Sequence, residues 1–217
     1  MITMYKTFGD QIQKIDTLQA GSWVNVVAPT EEEKAYLIRE IGVIPEFVQA
    51  SLDEEESSHI DYDDESDQTL VIIDCPCTEK TNEYYGKIAL QYSTMPIGIV
   101  LMKGYIITIS LYENISIQDM ESGKVKGVHT QMKTRFLLTL LFRISQRYLV
   151  CLREIDRLSS FTEQQLHKSM QNKELIQMLG LEKSLVYFST SLKADEVTLM
   201  KITRGKLIKL YADGEEL

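Results

Sequence analysis

From His129 onward the apolar residues stop alternating and recur every three and four positions instead. Leu137, Leu141, Ile144, Tyr148, Cys151, Ile155, Leu158 and Thr162 step by 4 and 3 in turn, which places them on one face of one long helix. After a polar break around Gln171 and Asn172, the residues Met178, Leu181, Leu185, Phe188, Leu192, Asp195, Leu199 and Ile202 follow the same alternation. Two such stripes bury themselves by folding back on each other, so the spacing predicts long antiparallel helices with coiled-coil-like packing over residues 129–217. Asp195 is the one charged member of the second stripe. A buried, unpaired carboxylate costs several kcal/mol, so a partner is required. The simplest is a Lys or Arg of the first helix; a bound cation or a polar contact between subunits are the alternatives.

Residues 1–128 follow a different rhythm. The runs 22–29, 69–75, 87–93, 97–102 and 105–111 are rich in Val, Ile and Tyr and read as strands, with Lys103-Gly104 as a hairpin turn between the last two. Between the first two runs, Thr30-Glu31-Glu32-Glu33 is a capping box that opens a helix ending at Gly42, and Pro45 starts a second helix, PEFVQASL. The fold class expected is therefore α/β: a layered mixed-sheet domain over 1–128 flanked by helices, followed by the helical region over 129–217.

Charge and motifs exclude several functions. The chain has 217 residues and a net charge of −9, and the acids concentrate before residue 129, which argues against nucleic acid as a partner. The most apolar helical run, 136–152, is interrupted by Arg143 and Arg147, so it does not read as a membrane span. No basic leader precedes an apolar stretch, so no signal peptide is expected. The three cysteines, Cys75, Cys77 and Cys151, are an odd count in no redox or zinc spacing, as suits a reduced, cytosolic setting and a packing role. His59, His129 and His167 lack zinc-ligand spacing. No nucleophile elbow, Walker A loop or dinucleotide fingerprint occurs, so no enzyme is indicated.

The candidate chemistry lies in LDEEESSHIDYDDESD, residues 52–67, with nine carboxylates and no Lys or Arg. As a calcium loop starting at Asp61 it fails, because Ser66 stands where Gly is needed and Ile72 where a bidentate Glu belongs. What remains is a solvated acidic loop leading into a strand, or a weak site in which two or three carboxylates hold a hydrated Mg²⁺ or Ca²⁺.

The stretch ELIQMLGLEKSLVYFSTSLKADEVTLMKI (174–202), the preceding Leu-rich helix FLLTLLFRISQRYLVCLREID (136–156) and GVIPEFVQASLDEEESSHIDYDDE (42–65) together, in this order, resemble the cytoplasmic domain of CorA-type divalent-cation transporters. The resemblance covers nearly the whole chain. It implies a sensing and gating domain on the cytoplasmic face of the cell membrane, joined to the membrane only through a further C-terminal stalk and pore with a Gly-Met-Asn signature. The closing run KLIKLYADGEEL would lead toward that stalk. It also implies a homo-pentamer whose subunits hold regulatory divalent cations weakly between them, Mg²⁺ or Co²⁺. By this resemblance Asp156, in REIDRL, is the best single candidate for a sensing acid. The acidic pair that some family members carry before the acidic stretch falls on Gln49 and Ala50, which leaves that half of the site absent, so Asp53, Glu54, Glu55 and Glu56 are the candidates to replace it, with Asp195 as a further metal candidate. A free-standing helical-hairpin interaction module is the alternative that the heptads alone permit.

Overall fold

The computed structural model describes residues 1–80, 90–168 and 172–204. Seven strands form one sheet: β1 (Ile2–Phe8), β2 (Gln11–Ile15), β3 (Ser22–Val27), β4 (His59–Asp63), β5 (Gln68–Lys80), β6 (Leu90–Met102) and β7 (Tyr105–Ser110). Their order across the sheet is β2-β1-β3-β7-β6-β5-β4. Only the central β3–β7 pair is parallel among these neighbours; the others are antiparallel. The sheet is therefore mixed.

Alternation along the strands divides the apolar residues between two faces. Val24 and Val26 of β3, Leu70 and Ile72 of β5, Val100 of β6 and Ile107 and Ile109 of β7 meet Leu37, Ile41, Phe47 and Val48. Leu37 and Ile41 lie on the π-helical continuation (Leu37–Ile41) of α1 (Glu31–Tyr36), and Phe47 and Val48 on α2 (Pro45–Ala50). On the opposite face, Trp23, Val71, Ile73, Cys75, Ile97, Ile99, Leu101 and Ile106 pack against three other helices. These are α3 (Ile115–Glu121), α4 (Lys133–Lys168) and α5 (Asn172–Thr203). Helices thus cover both sides of the sheet, and one continuous buried cluster joins the sheet to α4 and α5.

The local signals act as read. Thr30 Oγ1 accepts from the Glu33 amide at 3.2 Å, and Glu33 Oε2 accepts from the Thr30 amide at 2.9 Å. Glu33 also accepts from the Ile2 amide at 3.0 Å and pairs with the amino terminus at 2.9 Å, so the cap fastens β1 as well as α1. Gly42 ends the helix at φ 86°, and Gly104 turns the β6–β7 hairpin at φ 89°, both conformations that favour glycine. Replacing Thr30 with Ala should cost about 1 kcal/mol, measured by urea melting; an unchanged midpoint would refute the cap's contribution.

Three expectations change. The runs at 87–93 and 97–102 merge into the single strand β6, although residues 87–89 lie outside the described residues. Pro96 does not break β6, because it sits opposite Asp74, whose amide points away from the β5–β6 ladder. The missing N–H of Pro96 therefore falls on the side that β5 does not use. Pro76, two residues beyond Asp74 in β5, has the same orientation. Second, the β1–β2 hairpin at the start and the strand β4 inside the acidic stretch are additional elements. Third, the face of α5 differs from the expected stripe. Leu181, Phe188, Asp195 and Ile202 are buried as expected, but Leu185 and Leu192 are 45% and 37% exposed, while Ser184, Ser191 and Thr198 are fully buried or nearly so.

The reason for this last shift is the β5–β6 ribbon. N-terminal to Gly98, β6 has no β7 partner, and α5 covers that edge instead. Ser184 Oγ accepts from the Tyr92 amide at 2.9 Å, and Ser191 Oγ donates to Thr94 Oγ1 at 2.8 Å. A strand edge needs acceptors and close approach, which a hydroxyl provides and leucine does not. The α4 stripe stays apolar. Leu137, Leu141, Ile144, Tyr148, Cys151 and Ile155 are all buried, and Tyr148 meets Phe188 of α5 edge-on with ring centroids 5.0 Å apart.

Candidate functional site

The acidic stretch begins where α2 ends. Its first carboxylates sit on turns: Asp53 Oδ1 accepts from the Glu55 amide at 3.0 Å, and Glu54 Oε1 accepts from the Tyr112 hydroxyl at 3.1 Å. Asp53, Glu54 and Glu55 are exposed and Glu56 is half-buried, 3.5 Å from His59 Nδ1. The second half is not a loop. His59–Asp63 is the edge strand β4, and Asp63 Oδ2 accepts from both the amide and the hydroxyl of Ser66 in the turn to β5, which holds its carboxyl below the usual range. Ile72, the residue that fails the calcium-loop test, is paired with His59 inside the sheet. Charged side chains along an edge strand also discourage pairing with another chain.

Asp195 lies on α5 and is only 6% exposed. Its partners are neither Lys nor Arg of α4. Oδ1 accepts from the Ser58 hydroxyl at 2.5 Å and from the Asp74 amide at 3.0 Å. The Asp74 amide points outward just past the end of β4, where no strand neighbour remains, so Asp195 and Ser58 together cap the exposed edge of β5. Burial pushes the Asp195 carboxyl up to about 7; the Ser58 and Asp74 hydrogen bonds oppose this, and the nearby Asp74 carboxyl adds to it. Asp74 is itself raised by burial. The Tyr148 hydroxyl donates to the Asp74 carbonyl at 3.1 Å, which closes the arrangement from the α4 side.

The remaining candidates are separate. Asp156 is exposed on α4, and no hydrogen bond or ion pair joins it to the acidic stretch. Asp195 touches Ser58, two positions after Glu56, so it is the one candidate brought against the acidic stretch. Among the described residues, no group of three or more His, Cys, Asp or Glu side chains is arranged to hold a metal ion. Cys75, Cys77 and Cys151 are thiols rather than disulfides. Burial raises the thiols of Cys75 and Cys151, and Cys77 Sγ lies 2.8 Å from Ser93 Oγ. Sequence reasoning missed Ser58 and the Asp74 amide as the partners of Asp195. The available signal was a polar residue inside the acidic run and an Asp interrupting the apolar strand 69–75.

A crevice of about 350 Å³ opens beside Asp195 between α4 and α5, lined mainly by Ile73, Leu141, Ile144, Tyr148, Leu199 and Met200. No helix among the described residues is long and apolar enough to cross a membrane.

The chain is similar to known proteins over nearly its full length. The family model described as CorA-like Mg²⁺ transporter protein matches residues 19–216. The cobalt/magnesium transport protein CorA of Methanocaldococcus jannaschii is 26% identical over 200 residues, covering 85% of this chain and 56% of that protein. This chain thus spans little more than half the length of that relative. The soluble domain of the same archaeon's CorA superposes with a TM-score of 0.79 at 23% identity, covering 98% of this chain and 82% of that one. The cytoplasmic domain of ZntB from Vibrio parahaemolyticus superposes with a TM-score of 0.66 at 12% identity, covering 94% of this chain and 80% of that one. At these identities the two structures establish the fold.

Proposed function

The chain belongs to the CorA-like Mg²⁺ transporter protein family, and we propose that it is the cytoplasmic, cation-responsive part of a divalent-cation transporter. The family is one of transporters, and the α/β layers and long helices of this chain have the fold of a CorA soluble domain. The transported substrate would be Mg²⁺ or Co²⁺, as the name of the archaeal relative states for that protein. This part would sense the ion and set the state of the pore.

The observation that carries the reading is the placement of the carboxylates. Asp53, Glu54 and Glu55 are exposed, Glu56 is half-exposed, and Asp156 is exposed on α4. Mg²⁺ keeps much of its water and is held through one or two carboxylates, so side chains of this kind suit it. With no three-ligand group among the described residues of one chain, the ion would be shared between copies. Its binding would offset the repulsion between their acidic surfaces, and its loss would let them separate. A homo-pentamer is the assembly proposed. The outward face of α5 supports association, because Leu175, Leu179 and Val186 lie exposed along it.

The test is thermal melting with and without millimolar Mg²⁺, at ionic strength matched with NaCl. The wild-type midpoint should rise with Mg²⁺ as binding to the folded state stabilises it. A variant carrying Asp53→Asn, Glu54→Gln, Glu55→Gln and Glu56→Gln should lose that rise, and sedimentation should show Mg²⁺-dependent association in the wild type alone. An equal Mg²⁺ response in both proteins would overturn the assignment of these four residues.

A further inference from the structure

The crevice between α4 and α5 is unlike the acidic surface. Its walls are mainly aliphatic and aromatic, contributed by Ile73 of β5, Leu141, Ile144 and Tyr148 of α4, and Leu199 and Met200 of α5, with Ser145, Glu196 and Thr203 as polar members. Asp195 lines it too, in a part of the molecule where it is almost entirely buried. Among the described residues, no Lys or Arg lines this space. The titratable groups around Asp195 are Asp74 and Cys75 of β5, Tyr148 of α4 and Glu196 of α5, none of which carries positive charge. One carboxylate oxygen, Oδ1, is taken by the Ser58 hydroxyl and the Asp74 amide. No described residue donates to the other.

We infer that this crevice is a binding site for an amphipathic organic cation, a protonated amine on a short apolar body, with the Asp195 carboxylate as its counter-charge. The volume of about 350 Å³ lies within the range of small-molecule pockets, and a mainly apolar lining with a few polar groups, here Asp195, Glu196, Ser145 and Thr203, is their usual composition. A divalent metal ion is the poorer fit, because it needs several oxygen ligands and, among the described residues, no three His, Cys, Asp or Glu side chains converge to hold one. A neutral apolar molecule would fill the space but leave an ionised carboxylate without a counter-charge at low dielectric. An ammonium group satisfies both demands with a charge-assisted hydrogen bond. The site is independent of the cation response assigned above to the exposed carboxylates.

The probe is n-hexylammonium chloride, with 1-hexanol as its uncharged analogue, titrated calorimetrically into the 217-residue chain at pH 8. Hexylammonium should bind at least about tenfold more tightly than hexanol, and Asp195→Asn should remove that preference. Ser145→Leu narrows the crevice from α4 at a hydroxyl that bonds only its own helix, to the Leu141 carbonyl at 2.9 Å. It should weaken both ligands while leaving the thermal midpoint near that of the wild type. Millimolar Mg²⁺ should not compete. Equal binding of the two probes, undiminished hexylammonium affinity in Asp195→Asn, or no heat with either probe would each overturn the assignment.

Discussion

Gly98→Ala should destabilise the fold by about 3 kcal/mol or more and lower the thermal midpoint by about 10 °C, the upper end of overpacking effects. A Cβ at this position of β6 would meet Ser51 Oγ at 1.8 Å, Ser51 Cβ at 2.4 Å and Ser51 Cα at 3.2 Å. Ser51 closes the C-terminus of α2, is fully buried, and donates its hydroxyl to the Phe47 carbonyl at 2.6 Å, so it has no open direction in which to rotate. Either α2 lifts from the sheet or β6 bends. Both would disturb the packing of Phe47 and Val48 on Leu70, Ile72 and Val100. The double variant Ser51→Gly with Gly98→Ala removes the two shortest contacts and should recover most of the loss beyond the cost of Ser51→Gly alone. If Gly98→Ala melts within about 1 kcal/mol of the wild type, the close approach of α2 to β6 is wrong. The acidic stretch starts at the residue after Ser51, so the same glycine fixes where Asp53 and Glu54 emerge.

The parts of this architecture that sequence made legible are those governed by local rules. The capping box at Thr30 to Glu33, the stop at Gly42, the turn at Gly104 and the α4 stripe from Leu137 to Ile155 each depend on residues a few positions apart, and each is present. The α5 face was legible only in part. Periodicity favours whichever neighbour is more apolar, so Leu185 and Leu192 outranked Ser184 and Ser191. The deciding partner was a strand edge far away in the chain, whose amide at Tyr92 requires an acceptor. Pro76 and Pro96 misled in a similar way, since a proline reads as a break unless it is known which side of the strand lacks a neighbour. Asp195 was visible as an anomaly, a charge in an apolar stripe. Its partner Ser58 is 137 residues distant, and the other donor is a backbone amide, which carries no residue-type signal at all.

Asp195→Asn should stabilise the protein at pH 8 by up to about 4 kcal/mol and change it little at or below about pH 4. The folded-state carboxyl titrates at about 7, raised from an ordinary 3.8 chiefly by burial. A raised carboxyl means that the folded state binds the proton more tightly than the unfolded chain does. The wild type therefore keeps its full stability below the ordinary carboxyl range and loses it progressively as pH rises from about 4 toward 7 and through it. About three pKa units at 1.36 kcal/mol each set the scale of the loss. Asparagine cannot ionise, yet its side-chain oxygen can still accept from the Ser58 hydroxyl and the Asp74 amide, so the cap on β5 survives. Asp74, also raised by burial, adds a smaller slope of the same sign in both proteins. Urea melts across pH 4 to 8 should give converging stabilities at the acid end and a gap that widens from about pH 4 to 7 and levels off above it. Parallel curves would mean that Asp195 stays charged throughout, with a counter-charge supplied from outside the described residues. A curve that separates as predicted would make α5 a helix whose grip on the sheet edge loosens as pH rises, at the residue that also lines the α4–α5 crevice. A protonated amine bound there would oppose that loosening, which couples occupancy of the crevice to the seating of α5 on β5.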